Sequence, residues 1–241
     1  MGDADAMTNG ILLVAALGAC ALFSACAGHP AVAPSGAPTL SARHQALLDS
    51  APEAWPERIA AGLPMQLAEA NALLAAVRSQ QQAPGAPAAV AALGRCGQAI
   101  DDGVLVEFVA DRGSLAVEAA LALGERKQAI ALPALRAAVA DLAADATLRT
   151  AAACALARMG HGKEAAPFLT AVLLAGTPAG TASGSRHGLP ARPRWALERY
   201  LVQRMLLREG ATELARTLDP DASWPALERV TADVEAWLVA R

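Results

Sequence analysis

The sequence predicts an all-α chain: a short α-solenoid of stacked antiparallel helix pairs, carried behind a disordered amino-terminal tether. Three observations predict it. The 241 residues are 54% hydrophobic but only 3% aromatic and 18% charged. About a quarter are Ala, the strongest helix former, and few are β-branched. Lastly, three segments share a pattern that returns every 30 or so residues, the length of a helix pair. Other classes are excluded. The apolar fraction opposes overall disorder, and 4 Cys do not make a disulfide scaffold. A net charge of -3 with 4 His gives no general attraction to nucleic acid.

Residues 1–25 are expected to be an export signal. Ile11 to Phe23 form an uncharged apolar run of secretory length. The basic segment that usually precedes such a run is missing, and initiation at Met7 would explain that. Phe23-Ser24-Ala25-Cys26 resembles the bacterial lipobox and leaves a full apolar run before it. Leu17-Gly18-Ala19-Cys20 matches the pattern better but shortens the run. The lipoprotein resemblance implies that Cys26 is lipidated, with Cys20 as second choice. It further implies a membrane partner through the N-terminal lipid and, from Ala27, the outer membrane facing the periplasm. Three other fates stay open. Ala25-Cys26-Ala27 also suits ordinary cleavage, the run Ile11 to Gly28 is long enough for an uncleaved anchor, and it could be a buried helix.

Residues 26–40 are rich in Pro, Gly, Ala and Ser and are expected to form a tether. Residues 41–86 follow as an N-terminal helical cap. Ser41 to Leu48 is a short helix, and Trp55, between Pro52 and Pro56, is expected to plug the end of the core. Pro64 to Gln82 is a stronger helix, with Pro64 in its first turn and Leu67, Ala70, Leu74 and Val77 on one buried face.

Residues 87–208 hold the repeats. Ala88 to Arg95, Leu115 to Glu125 and Leu148 to Arg158 align through Leu93, Leu123 and Leu156. Leu132-Pro133-Ala134-Leu135 parallels Ala166-Pro167-Phe168-Leu169, so each unit is expected to be two helices, the second opened by Pro. A fourth unit begins at Arg194-Trp195 and continues through Leu201, Met205 and Leu206. The pattern resembles the HEAT-like repeats of the phycobilisome-lyase type, whose first helix reads roughly V-R-x-x-A-A-x-A-L-G. Its basic residue is Arg149 in the third unit but Ala116 in the second. Its closing Gly is Gly94 and Gly124, then Ala157. Tetratricopeptide repeats would want Trp, Tyr and Phe at fixed places that these units leave empty. Residues 209–241 are expected to be C-terminal caps. Ala226 to Val239 carries Leu227, Val230, Val234, Trp237 and Leu238 on one stripe, apolar on one side only, as a terminal element requires.

Few residues of the sequence point to catalytic chemistry. His29, His44, His161 and His187 are expected to stand alone, with no carboxylate or second His at i+3 or i+4. There is no His-Glu dipeptide and no phosphate loop, and neither a metal nor another cofactor is expected. Cys96 and Cys154 lie a repeat apart, too far for a disulfide, and should be buried thiols. Cys96, with Arg95, Asp101 and Asp102 nearby, comes nearest to a phycobilin acceptor.

The inserted loop 176–193 carries Arg186, His187 and Arg192, with Arg194 at its end and no acid to balance them. It reads either as a flexible insertion or, functionally, as a contact for an acidic protein-partner surface or a lipid head group. The expected function is a lipid-anchored, non-catalytic scaffold or adaptor. The alternatives are a lyase- or chaperone-like accessory protein acting on a cofactor-bearing protein, or a soluble exported binding module.

Overall fold

Short polar residues and prolines mark where the helices begin. The structure, a computed structural model, describes residues 40–175, 195–218 and 224–241. In order they form α1 (Ala42–Leu48), α2 (Trp55–Gly62), α3 (Leu67–Ser79), α4 (Ala86–Arg95), α5 (Asp102–Asp111) and α6 (Ala116–Arg126). Then come α7 (Leu132–Ala140), α8 (Ala146–Arg158), α9 (Gly162–Leu174), α10 (Trp195–Arg208), α11 (Thr212–Thr217) and α12 (Trp224–Val239). Short 3-10 turns precede α2 and α7. No strand occurs among the described residues, so they are all-α. The signal, the tether and the loop 176–193 lie outside the described residues.

The caps follow from side-chain chemistry. The Asp101 and Asp145 carboxylates accept backbone N–H groups of Gly103 (2.9 Å) and Thr147 (2.8 Å), satisfying first-turn donors of α5 and α8. Gln66 and Glu69 form a capping box at α3. Pro56, Pro87 and Pro133 sit in first turns, where their missing N–H costs nothing.

Three local expectations are corrected. Pro64 precedes α3 rather than opening it, because the capping box fixes the start beyond it. Leu67, at that start, is 45% exposed, whereas Ala70, Leu74 and Val77 are buried as expected. Pro167 lies inside α9 instead of opening it, since α9 begins at Gly162 just after the α8 turn.

α8 is the hub. It packs against α6, α7, α9 and α10. Every residue from Ala146 to Ala157 is buried, and a helix enclosed all round needs small apolar side chains on every face. The run Ala151-Ala152-Ala153-Cys154-Ala155 supplies them. α6 packs in turn against α4, while α5 lies on α6 and α7, and α12 covers α9.

The aligned glycines lie at the crossings. A Cβ on Gly94 would stand 2.8 Å from the Ala122 Cα, and one on Gly124 2.7 Å from the Ala155 Cα. Real Cβ atoms do not approach backbone so closely, so Gly at this repeat position lets α4 approach α6, and α6 approach α8. In the third unit Ala157 is buried with its methyl intact.

Two buried arginines repeat one another. Arg149 Nε donates to the Val139 carbonyl at 3.1 Å, and Arg199 Nε to the Leu173 carbonyl at 3.2 Å. Each acceptor is the penultimate residue of the preceding helix, α7 or α9, where carbonyls lack helical partners. Arg149 also lies over the Phe168 ring, 4.8 Å from its centroid. Arg194, aligned with Arg149 by spacing, is outside the described residues; Arg199 makes the equivalent bond.

Candidate functional site

The lipidation candidates Cys26 and Cys20 and the partner candidates Arg186, His187, Arg192 and Arg194 all lie outside the described residues. The described chain gathers a different charged site.

Four helices end in Arg: Arg95 on α4, Arg126 on α6, Arg158 on α8 and Arg208 on α10. Cations suit these ends, where carbonyls give partial negative charge. Two residues after the aligned leucines stand Arg95, Glu125 and Arg158, and Arg208 holds the same place after Leu206. Packing sets this register position in a row. Arg158 Nη1 lies 2.8 Å from Glu125 and its Nε 2.9 Å from Glu209, just past α10. Arg208 Nε is 3.9 Å from Glu125. Lys127 (3.7 Å) and Arg241 (2.9 Å) also reach Glu209. Beside the row, Arg126 is ion-paired with Asp102 and donates to the Gln98 carbonyl at 2.8 Å.

Protonation follows from this geometry. Burial pushes the Glu125 and Glu209 carboxyls up, but hydrogen bonds from Arg158 and the surrounding cations outweigh it, so both sit below the ordinary carboxylate value. Arg95 is shifted down, first by burial and then by the charges of Arg208 and Arg204. Glu118 is shifted up by burial, which the charges of Arg204 and Arg95 only partly offset.

Between the ends of α4, α6 and α10 lies a cleft of about 580 Å³, lined by Arg95, Gln98, Glu125, Arg126, Gln128 and Arg208 with Gly94, Gly97 and Ala99. Its walls come from segments more than 100 residues apart, 94–99 and Arg208. No local motif contains it, which is why sequence reasoning missed it. The signal available was the charge two residues after each aligned leucine.

Cys96 and Cys154 are buried free thiols, as expected. Cys96 Sγ–H donates to the Leu93 carbonyl at 3.1 Å. It is turned inward, unlike an exposed attachment site. Burial pushes the Cys154 thiol up to about 12, and the Arg158 charge offsets little of it. Iodoacetamide at neutral pH should leave Cys154 unmodified in the native chain and alkylate it in guanidinium, as read by peptide mass mapping. Rapid native labelling would refute that enclosure.

The histidines need one correction. His44 is buried, its Nε2–H donating to the Gly62 carbonyl at 3.2 Å and its Nδ1 bonded to Ser41 Oγ at 2.8 Å. His161, expected to stand alone, has Glu164 at i+3 with Nδ1–Oε2 at 3.9 Å. That spacing puts both on one helical face. Glu164 is also bound by Arg136 at 2.8 Å, so this is a surface cluster built on the Arg136–Glu164 ion pair. Among the described residues, no group of three or more His, Cys, Asp or Glu could hold a metal ion, and no helix is long and apolar enough to cross a membrane. Comparison with protein-family models, curated proteins and solved structures finds no match to the chain.

Proposed function

We propose that the chain is an exported lipoprotein, anchored through Cys26, whose helices form a HEAT-like α-solenoid that holds a protein partner in the bacterial envelope without catalysing a reaction. The observation that carries the solenoid reading is the repeated arginine bond. Arg149 and Arg199 occupy the same place in successive first helices, and each ties its helix to the end of the preceding unit. The close crossings at Gly94 and Gly124 repeat in the same way. Repeats stacked like this present long faces suited to protein partners. The anchor reading rests on the lipobox-like Phe23-Ser24-Ala25-Cys26, and outer-membrane placement on Ala27.

A second reading, a lyase- or chaperone-like accessory protein, is favoured by the polar groups that converge on the cleft. The inward-facing Cys96 opposes the covalent version of it.

Metabolic labelling with palmitate tests the anchor. Label should enter the parent chain and Cys20→Ser but not Cys26→Ser. Label lost only in Cys20→Ser moves the anchor to Cys20, and no label in the parent chain refutes a lipoprotein. Crosslinking followed by pull-down tests the scaffold. A stoichiometric protein partner is expected, with recovery reduced when Arg186, Arg192 and Arg194 are neutralised. Unchanged recovery removes the loop from the interface, and no partner at all overturns the scaffold reading.

A further inference from the structure

We propose that the cleft between the ends of α4, α6 and α10 binds an acidic peptide segment of the protein partner, with its carboxylates paired to Arg95 and Arg208. This rests on the scaffold reading and gives that scaffold a second, structured contact. The chain as a whole carries a net charge of -3, yet the cleft holds three guanidinium groups against one carboxylate. Two of those four charges are committed within the protein: Arg126 to Asp102, and Glu125 to Arg158. Arg95 makes no hydrogen bond or ion pair among the described residues, and the nearest carboxylate oxygen to Arg208 is 3.9 Å away.

Arg204 adds a third cation close enough to act on Arg95, while Glu118 and Glu125 are the carboxylates that act on it in the opposite sense. Neither carboxylate forms a hydrogen bond with Arg95 or Arg208 among the described residues, and guanidinium groups favour carboxylates because two parallel N–H···O bonds can form. The Gln98 and Gln128 side-chain amides also line the cleft and make no hydrogen bond among the described residues. Amides of this kind can both donate to and accept from a peptide backbone.

The form of the cleft favours a peptide over a small anion. Small-molecule sites enclose most of their ligand, whereas Gly97, Ala99, Gln128 and Arg208 on this rim are exposed. A volume of about 580 Å³ has room for several side chains of a segment that enters and leaves along the open side.

The test is fluorescence anisotropy of a labelled hexaglutamate peptide titrated with the full chain, with hexalysine as control. Saturable binding of hexaglutamate alone is expected, and it should weaken as salt rises. The double variant Arg95→Gln/Arg208→Gln should bind about tenfold more weakly or worse, while Arg95→Lys/Arg208→Lys retains most affinity. Neutralising Arg186, Arg192 and Arg194 should leave this binding in place. Thermal melting checks each variant, and Arg208→Gln alone serves if the double variant does not fold. No saturable binding, or equal binding by the Gln variants, overturns the proposal. So does inorganic phosphate displacing the peptide below the peptide's own binding concentration, which would mark a small-anion site. Crosslinked capture of the partner at undiminished yield by the Gln variant overturns the cleft while the scaffold reading stands. Absence of any partner for the parent chain overturns the scaffold reading itself.

Discussion

Arg158→Met is expected to destabilise the chain by about 3 kcal/mol, near the lower edge of what is lost when one partner of a buried ion pair is removed. The Arg158 side chain is only 10% exposed and bridges Glu125 and Glu209, whose side chains are 20% and 7% exposed. Those carboxylates belong to α6 and to the turn after α10, so one guanidinium on α8 joins α6 to the end of α10. Met fills much of the volume but leaves two carboxylates facing each other across the gap. The loss stops short of the upper range because Arg208 remains near Glu125, and Lys127 and Arg241 remain near Glu209. In a domain of this size the melting temperature should fall by about 6–12 °C. Adding Glu125→Gln should recover part of that fall; if it deepens the loss, the bridge is not what Arg158 contributes.

The pH dependence follows with a definite sign. Glu125 and Glu209 have folded values below the ordinary 4.5. The unfolded chain therefore binds more protons there, and stability rises with pH through that window. The contribution is complete above the ordinary carboxylate range and disappears as pH falls through the lowered folded values. Arg158→Met should flatten this acid-side slope, because its two carboxylates lose the partner that held them down. Denaturant midpoints measured across acidic pH would show it, and an unchanged slope would refute the assignment.

How much of this was legible depends on how local the determining contacts are. The helices were, because Leu93, Leu123 and Leu156 close similar Ala-rich segments of strong helix formers, and all three are buried. The closing glycines were visible as a pattern, although their partners Ala122 and Ala155 were not. Leu67 shows the limit: it keeps the helical spacing yet lies at the helix start, where nothing covers it. α5 escaped notice because Val104, Leu105, Phe108 and Val109 occupy one short segment without a matching partner in the repeat alignment. The arginine pair was obscured by the insertion before α10, which drew the alignment to Arg194 instead of Arg199. The cleft was least legible. It exists only because packing brings Arg208 beside Arg95, more than 100 residues earlier in the chain.

Gly124→Ala should reverse the usual sign of that substitution. In an ordinary helix interior, Ala in place of Gly stabilises by about 1 kcal/mol through backbone entropy and solvation. At Gly124 the added methyl would lie 2.7 Å from the Ala155 Cα and 2.9 Å from its Cβ. Neither atom can rotate away, so α6 and α8 must separate. Overpacking of that kind costs roughly 1–3 kcal/mol and more where backbone must move. Since α8 is enclosed by four helices, moving it disturbs contacts well beyond the crossing. A net loss of about 3 kcal/mol is expected for Gly124→Ala, and a similar one for Gly94→Ala, which meets Ala122 Cα and Cβ at 2.8 Å. The converse change separates crossing geometry from general intolerance. Ala157 occupies the same repeat position with its methyl buried and accommodated, so Ala157→Gly should cost about 1 kcal/mol from helix propensity, with a little lost packing in addition. Thermal denaturation of the three variants should therefore give two large decreases and one small one. A higher melting temperature for Gly124→Ala would mean that the α6–α8 crossing is not close-packed through backbone.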